Sequence, residues 1–299
     1  MNKKAFWMAA FTIIIWSSGF AGVRASILGG YTPAHLVLLR FLIASGVFLL
    51  YALWPGVHIK LPEKKDIPRI IFLGLIGISV YHIGFTFGVQ TVSAGTASMI
   101  IGSAPIFTSI IAIIVLKERM DLFGWIGLGI GFIGIVLITL GTSEAAFTIS
   151  KGTLYILIST IATSIFFVFQ KPLLAKYHPI DLTAYFTWAG TLPMLVFLPG
   201  LWENMQNADF SAHISALYVG VFPAAVAYVT WAMALSAGNT TTISSMLYLE
   251  PALAIMIAWL WLKEWPNALS LIGGAIAISS VFVVNFVGKK RHIAKKKLG

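Results

Sequence analysis

Residues 246–264 read MLYLEPALAIMIAWLWLKE, a long apolar run closed by Lys263-Glu264, with one carboxylate inside it, Glu250, and Pro251 directly after that. A run of this length reads as a helix crossing a bilayer. Ionising a carboxylate in hydrocarbon is expensive, so Glu250 is expected to face a partner or a water-filled cavity rather than lipid. Proline removes a backbone donor and disturbs the turn before it, so Pro251 predicts a kink. A bent helix with one buried acid has the makings of a moving, proton-sensing part.

The surrounding chain fits a membrane. Of its 299 residues 59% are hydrophobic and 10% are charged, against roughly 25% charged in an ordinary soluble domain. The absence of cysteine excludes disulfides and thiolate metal sites. The net charge of +10 is compatible in sign with nucleic acid, but most basic residues sit in short connections between apolar runs, as the positive-inside rule requires. The basic tail from Lys289 to Lys297 reads as an anchor for the last span and a lipid-facing patch. Lys3 and Lys4 precede an apolar segment that reads as a retained first span rather than a cleaved signal.

Ten spans can be drawn, at 5–24, 33–54, 68–90, 95–116, 122–140, 152–174, 180–199, 214–236, 240–262 and 268–287, each about the ~20 residues that cross hydrocarbon. An even number places both termini on one side. With that side cytoplasmic, 16 of the Lys and Arg residues fall inside and 3 outside (Arg24, Lys151, Lys263), leaving Arg40 within a span.

The second half of the chain repeats the first. An offset of 146 pairs Pro105 with Pro251, Pro33 with Pro179, Gly74 with Gly220 and Ser98 with Ser244. The same offset, without gaps, pairs Leu116-Lys117-Glu118 with Leu262-Lys263-Glu264. Five spans per repeat is an odd number, so the halves are expected to lie in the membrane with opposite orientation. Inverted repeats place a substrate site near the midplane and supply alternating access by rocking. The expected units are a first repeat over 1–146, a second over 147–288, and a basic tail over 289–299.

This tandem five-span pattern resembles the EamA-type branch of the drug/metabolite transporter superfamily over nearly the whole chain. The residues carrying the resemblance are Trp16-Ser17-Ser18, Arg40-Phe41, Pro105 with Leu116-Lys117-Glu118, and Glu250-Pro251 with Leu262-Lys263-Glu264. The resemblance implies an all-α carrier of the inner membrane that exports small metabolites, commonly amino acids or drugs. It also implies that spans one, three, four, six, eight and nine line the cavity.

Departures from the repeat single out the chemistry. Glu250 aligns with Ala104 and Arg40 with Phe186, so each charge stands in one half only. At ~1.5 Å per residue Glu250 lies about 15 Å from the inner end of its span and about 18 Å from the outer end, and Arg40 about 10 Å from the outer end of its own, so their heads differ in depth by ~8 Å. They are candidates for substrate binding and coupling; the bland reading is a static buried pair. A carboxyl group kept from water resists ionisation, which makes Glu250 a candidate for proton exchange. His82 aligns with Tyr228; with Tyr81, Trp16, Trp188 and Trp231 they are expected to form an aromatic wall. Arg24 is expected near the outer mouth, and Pro105 and Pro251 at helix kinks. Trp7, Trp54, Trp202 and Trp265 read as interfacial anchors. Glycines 124, 127, 131 and 134 read as a packing stripe on span five, answered by Gly273, Gly274 and Ala277 on span ten.

Other classes fit less well. No H-E-x-x-H, P-loop or serine elbow is present, so an intramembrane enzyme and direct use of ATP are disfavoured. A channel would want more polar faces. A nucleotide-sugar or organophosphate carrier of the same fold would want several cavity cations, and an uncoupled facilitator stays open. The reading is a monomeric carrier of a small-molecule substrate, with protons as the candidate coupling ion, no cofactor, no metal and no nucleic acid.

Overall fold

The computed structural model describes residues 2–88, 100–142, 151–262 and 268–284. Lys263, Glu264, Trp265, the basic tail and the junction between the expected repeats lie outside the described residues. All regular elements among those described are helical: α1 Lys3–Leu28, α2 Pro33–Ala52, α3 Ile67–Gly88, α4 Ala104–Leu116, α5 Leu122–Thr142, α6 Lys151–Leu174, α7 Pro179–Met194, α8 Leu201–Asn207, α9 Phe210–Ala237, α10 Thr240–Ser244, α11 Leu249–Leu262 and α12 Ala268–Phe282. Five helices (α1, α2, α3, most of α6, and α9) are long and apolar enough to cross a membrane. Shorter apolar helices cover 100–116, 122–134 and 271–280. The periphery is apolar where a soluble protein would be polar, with Ile114 71% and Val196 70% exposed, as suits a lipid-facing surface.

Starts of helices follow local chemistry. The Thr32 side chain accepts a hydrogen bond from His35 N, with Pro33 in the first turn, and the Asn239 carboxamide accepts from Thr242 N at 3.0 Å. Both prolines expected at kinks instead open helices. Pro105 lies in the first turn of α4 after a break at Ser103, and Pro251 in the first turn of α11 after a 3₁₀ stretch over Ser245–Tyr248. A first-turn proline loses no intrahelical bond, so the disturbance is taken up before the helix rather than inside it. Span seven ends at Phe197, and α8 turns away from it by 82°, with Gly200 in the left-handed region at φ 80° supplying the corner. α8 leaves Trp202 70% exposed.

Two helices share a distortion at matching positions: α3 is π-wound over Leu75–Val80 and α9 over Phe222–Val226. Their surroundings match as well. A Cβ on Gly74 of α3 would stand 2.7 Å from the Phe186 carbonyl oxygen and 2.9 Å from Ala189 Cβ in α7. A Cβ on its mate Gly220 of α9 would meet Ile43 of α2 at 2.8 Å, and Ile43 is the mate of Ala189 at the offset of 146. Two mated pairs touch each other directly: His82 Nε2 and Tyr228 Oη at 2.7 Å, and Ser45 Oγ and Thr191 Oγ1 at 3.0 Å. Reciprocal contacts and self-paired mates are what a twofold relation between two units produces. α5 and α12 pack along each other; side chains at Gly127 or Gly131 would collide with Val284, Ser280 or Tyr248. Gly124 faces its own neighbour Met120, and Gly274 faces Ala252, so these two do not belong to that seam.

At the end of the bundle where α1 begins, several helix ends are tied together. α4 stops at Lys117, which takes the left-handed conformation at φ 53° and delivers Glu118 to the start of α10. Glu118 accepts hydrogen bonds from Thr240 N at 2.9 Å, Thr241 N at 3.0 Å and Thr241 Oγ1 at 3.0 Å. Lys171 Nζ of α6 lies 3.0 Å from the same carboxylate and donates to the Gly238 carbonyl at 2.6 Å. Burial opposes ionisation of Glu118, but the Thr241 and Thr240 amides and the Lys171 ammonium outweigh it and hold the carboxyl below its ordinary value.

Two outcomes follow from this packing. Gly74→Ala meets backbone and destabilises the protein by about 1–3 kcal/mol, more than Gly220→Ala, which meets a side chain; thermal unfolding in detergent compares them. Folded Glu118 binds its proton less tightly than unfolded Glu118, so its stabilising effect is full above the ordinary value of 4.5 and is lost as pH falls through the lower folded value. The melting temperature of the wild type therefore drops more steeply in acid than that of Glu118→Gln, which at neutral pH is less stable by about 1–3 kcal/mol.

Candidate functional site

The two π-wound segments deliver the helical turns that follow them to one place. Tyr81, His82 and Phe85 come from α3, and Pro223 and Tyr228 from α9. Trp16, Gly19, Phe20 and Val23 of α1 face them, with Thr163 and Phe167 of α6, Ile101, Ala104, Leu247, Arg40 of α2 and Glu250 of α11. Together they line a narrow cavity of about 50 Å³, open on one side. The lining comes from the expected spans one, three, four, six, eight and nine, and the expected span two joins them through Arg40.

The aromatic wall is tightly interlocked. The Trp16 ring stacks on Phe167 at 6.1 Å and meets Tyr228 edge-on at 5.4 Å. Its indole N–H donates to the Pro223 carbonyl in the π-wound stretch at 3.1 Å. Tyr81 and Phe85 stack at 6.3 Å, and Phe20 meets Phe85 edge-on. Such contacts fix ring orientation and present π-faces and edges to the space between them.

Polar groups are few and under-satisfied. Arg40 is 4% exposed, and its Nε and Nη1 have no hydrogen-bond partner. Glu250 also lines the cavity, with its backbone carbonyl accepting from Ser17 Oγ at 3.1 Å. Among the described residues no ion pair joins Arg40 to Glu250, so the static buried pair is not formed. His82 spends Nε2 on Tyr228 and leaves Nδ1 without a partner. An unpaired buried guanidinium is costly. One that borders a cavity is a ready site for an anionic group, and the Glu250 carboxyl is a site for a proton or a cationic group.

Six residues singled out in the sequence therefore meet in one cavity: Trp16, Arg40, Tyr81, His82, Tyr228 and Glu250. The others lie elsewhere. Trp231 is fully buried behind the wall, packed on Phe167 at 5.0 Å and Trp16 at 5.3 Å. Trp188 points between helices, donating to the Ser45 carbonyl at 3.2 Å. Arg24 sits on an exposed part of α1 just beyond the lining residue Val23, outside the lining. Pro105 and Pro251 are buried at helix starts and outside the lining. Hydropathy gives the depth of a tryptophan but not its face, so in the sequence Trp188 and Trp231 are indistinguishable from the wall residue Trp16. Nothing about an isolated Phe or Thr in an apolar run marks Phe20, Phe85, Phe167 or Thr163 as cavity lining. Among the described residues no group of three or more His, Asp or Glu side chains could hold a metal ion.

The chain matches the EamA-like transporter family over residues 3–140 and 150–286. It is 42% identical over 267 residues to an uncharacterized transporter, YdfC, of Bacillus subtilis, covering 89% of this chain and 86% of that protein. It is 33% identical over 292 residues to a probable terminal-alkyne amino-acid exporter of Streptantibioticus cattleyicolor, covering 97% of each. A solved structure titled only "Crystal structure of protein" superposes with a TM-score of 0.80 at 17% identity, covering 97% of this chain and 99% of that one, and at that identity the likeness concerns the fold alone. Two matches to one family in tandem, apolar helices of spanning length and relatives named as transporters lead to one conclusion: the chain is a membrane transporter, not an enzyme, and belongs to the EamA-like transporter family.

Proposed function

We propose that the protein is a secondary carrier of the inner membrane that exports small metabolites, amino acids or amphipathic drug-like solutes, by alternating access. Its ten spans form two inverted five-helix repeats, over 1–146 and 147–288, followed by the basic tail 289–299. Both termini lie in the cytoplasm, in line with the Lys and Arg bias, and the carrier works as a monomer because one chain supplies both halves.

The observation that carries this reading is the pair of opposite charges, Arg40 and Glu250, held in one aromatic cavity without an ion pair between them. Opposite charges in a low-dielectric space attract strongly, so a site that keeps them apart has room for a third party. A solute carboxylate suits Arg40, and an ammonium group or a proton suits Glu250. An organophosphate suits the cavity less, since among the described residues Arg40 is the one Lys or Arg lining it and Glu250 repels a second negative charge. The amino-acid reading also draws on the Streptantibioticus cattleyicolor relative. Coupling assigns Glu250 alternate protonation as protons move inward against exported solute.

Efflux of labelled amino acids from proteoliposomes under imposed pH gradients tests both parts. Wild type accelerates with the gradient, Glu250→Gln loses that response, and Arg40→Gln lowers apparent affinity for the carboxylate-bearing solute by about 10- to 100-fold. A gradient response that survives Glu250→Gln removes the coupling role. A panel on which nothing moves removes amino acids as the substrate class.

A further inference from the structure

Glu118 of the first Leu-Lys-Glu triplet stands outside the cavity lining, yet four donors converge on its carboxylate: Thr240 N, Thr241 N, Thr241 Oγ1 and Lys171 Nζ. From the structure we infer that Glu118 and Lys171 form the latch that closes the carrier at the end of the bundle where α1 begins, and that releasing it opens the cavity to that side. The inference rests on the alternating-access reading above.

Three observations lead there. First, the space between the cavity and this end is filled. Ile13, Ala9 and Ala5 of α1 pack with Trp231, Leu235 and Ile243 in one apolar cluster, each with 0% exposure. Nothing passes while that plug is in place. Second, the latch ties the elements that would have to part. Glu118 extends from α4, Lys171 belongs to α6, Gly238 ends α9, and Thr240 and Thr241 begin α10. Each of these elements, or the helix it runs into, also lines the cavity, through Ala104, Thr163, Tyr228 and Glu250 respectively. A change at the cavity therefore reaches the latch along the same rigid helices. Third, the bonding exceeds what capping α10 requires. Asn239 already caps that helix locally through Thr242 N. Glu118 takes the two earlier amides, Thr240 N and Thr241 N, from 122 and 123 residues away in sequence, and Lys171 adds the Gly238 carbonyl. A carboxylate on a helix N-terminus with an ammonium beside it is strong while dry and weak once water enters, which suits a closure that must hold and then release.

Absence of cysteine from the chain allows a direct test with single-cysteine reporters in purified, detergent-solubilised protein. Ala9→Cys reports on the plug and Val23→Cys on the cavity, each labelled with a maleimide in the otherwise unaltered chain and combined with Glu118→Gln or Lys171→Met. Loss of a charge-assisted bond to a buried group is expected to raise Ala9→Cys labelling by about tenfold or more, while Val23→Cys labelling falls, because opening one end closes the other. Unchanged rates at both reporters overturn the latch. Rates that rise at both overturn it too, since Glu118 then only holds the fold together. The efflux assay separates the two readings: solute movement with unchanged reporters sinks the latch alone, whereas no movement of any solute with reporters that never change in opposite senses sinks the carrier reading with it.

Discussion

A guanidinium almost wholly removed from solvent, with two of its nitrogens unsatisfied, sets the energetics of this bundle. Burying Arg40 without a partner costs more than the packing around one side chain returns, so the surrounding helices must hold their arrangement without its help. They do so through contacts in which the two halves of the chain brace each other. α3 presses its glycine face on α7, α9 presses its own on α2, and α5 and α12 lie together along a seam of small residues. The cavity is what remains between these seams, and its walls are aromatic because large rings can bridge helices that the π-wound turns have displaced.

The architecture was legible in the sequence to the extent that it depends on composition and register. Apolar runs gave the helices, and the offset of 146 identified mates such as His82 and Tyr228 that the structure brings within hydrogen-bond distance. What the offset does not encode is local winding. A π-turn has no composition of its own, so Leu75–Val80 and Phe222–Val226 read as ordinary helix. The 3₁₀ stretch before Pro251 and the sharp corner at Gly200 were hidden in the same way. A proline reports that the turn before it is disturbed, and only the fold decides whether that turn becomes a kink, a break or a 3₁₀ stretch.

For the site, asymmetry was the useful signal. Arg40 and Glu250 stood out because their mates are Phe186 and Ala104, and both line the cavity. Symmetric features were less informative: Leu-Lys-Glu in both halves marked a shared purpose without saying what it was. Glu118 finds Lys171 53 residues away and Thr240 and Thr241 more than a hundred away, distances over which pattern alone assigns nothing.

The His82–Tyr228 bond bears on how such a chain could have arisen. In an assembly of two identical halves, a position on the axis faces its own copy, and a single codon specifies both sides of the contact. Such a contact is His on His or Tyr on Tyr and never a mixed pair. The hydrogen bond seen here, imidazole to phenol, requires the two sides to be encoded separately. The same holds for a lone arginine in one half and a lone glutamate in the other. One gene that encodes both halves can therefore give a cavity distinct positive and negative poles, where two copies of one half could give only twofold-symmetric walls.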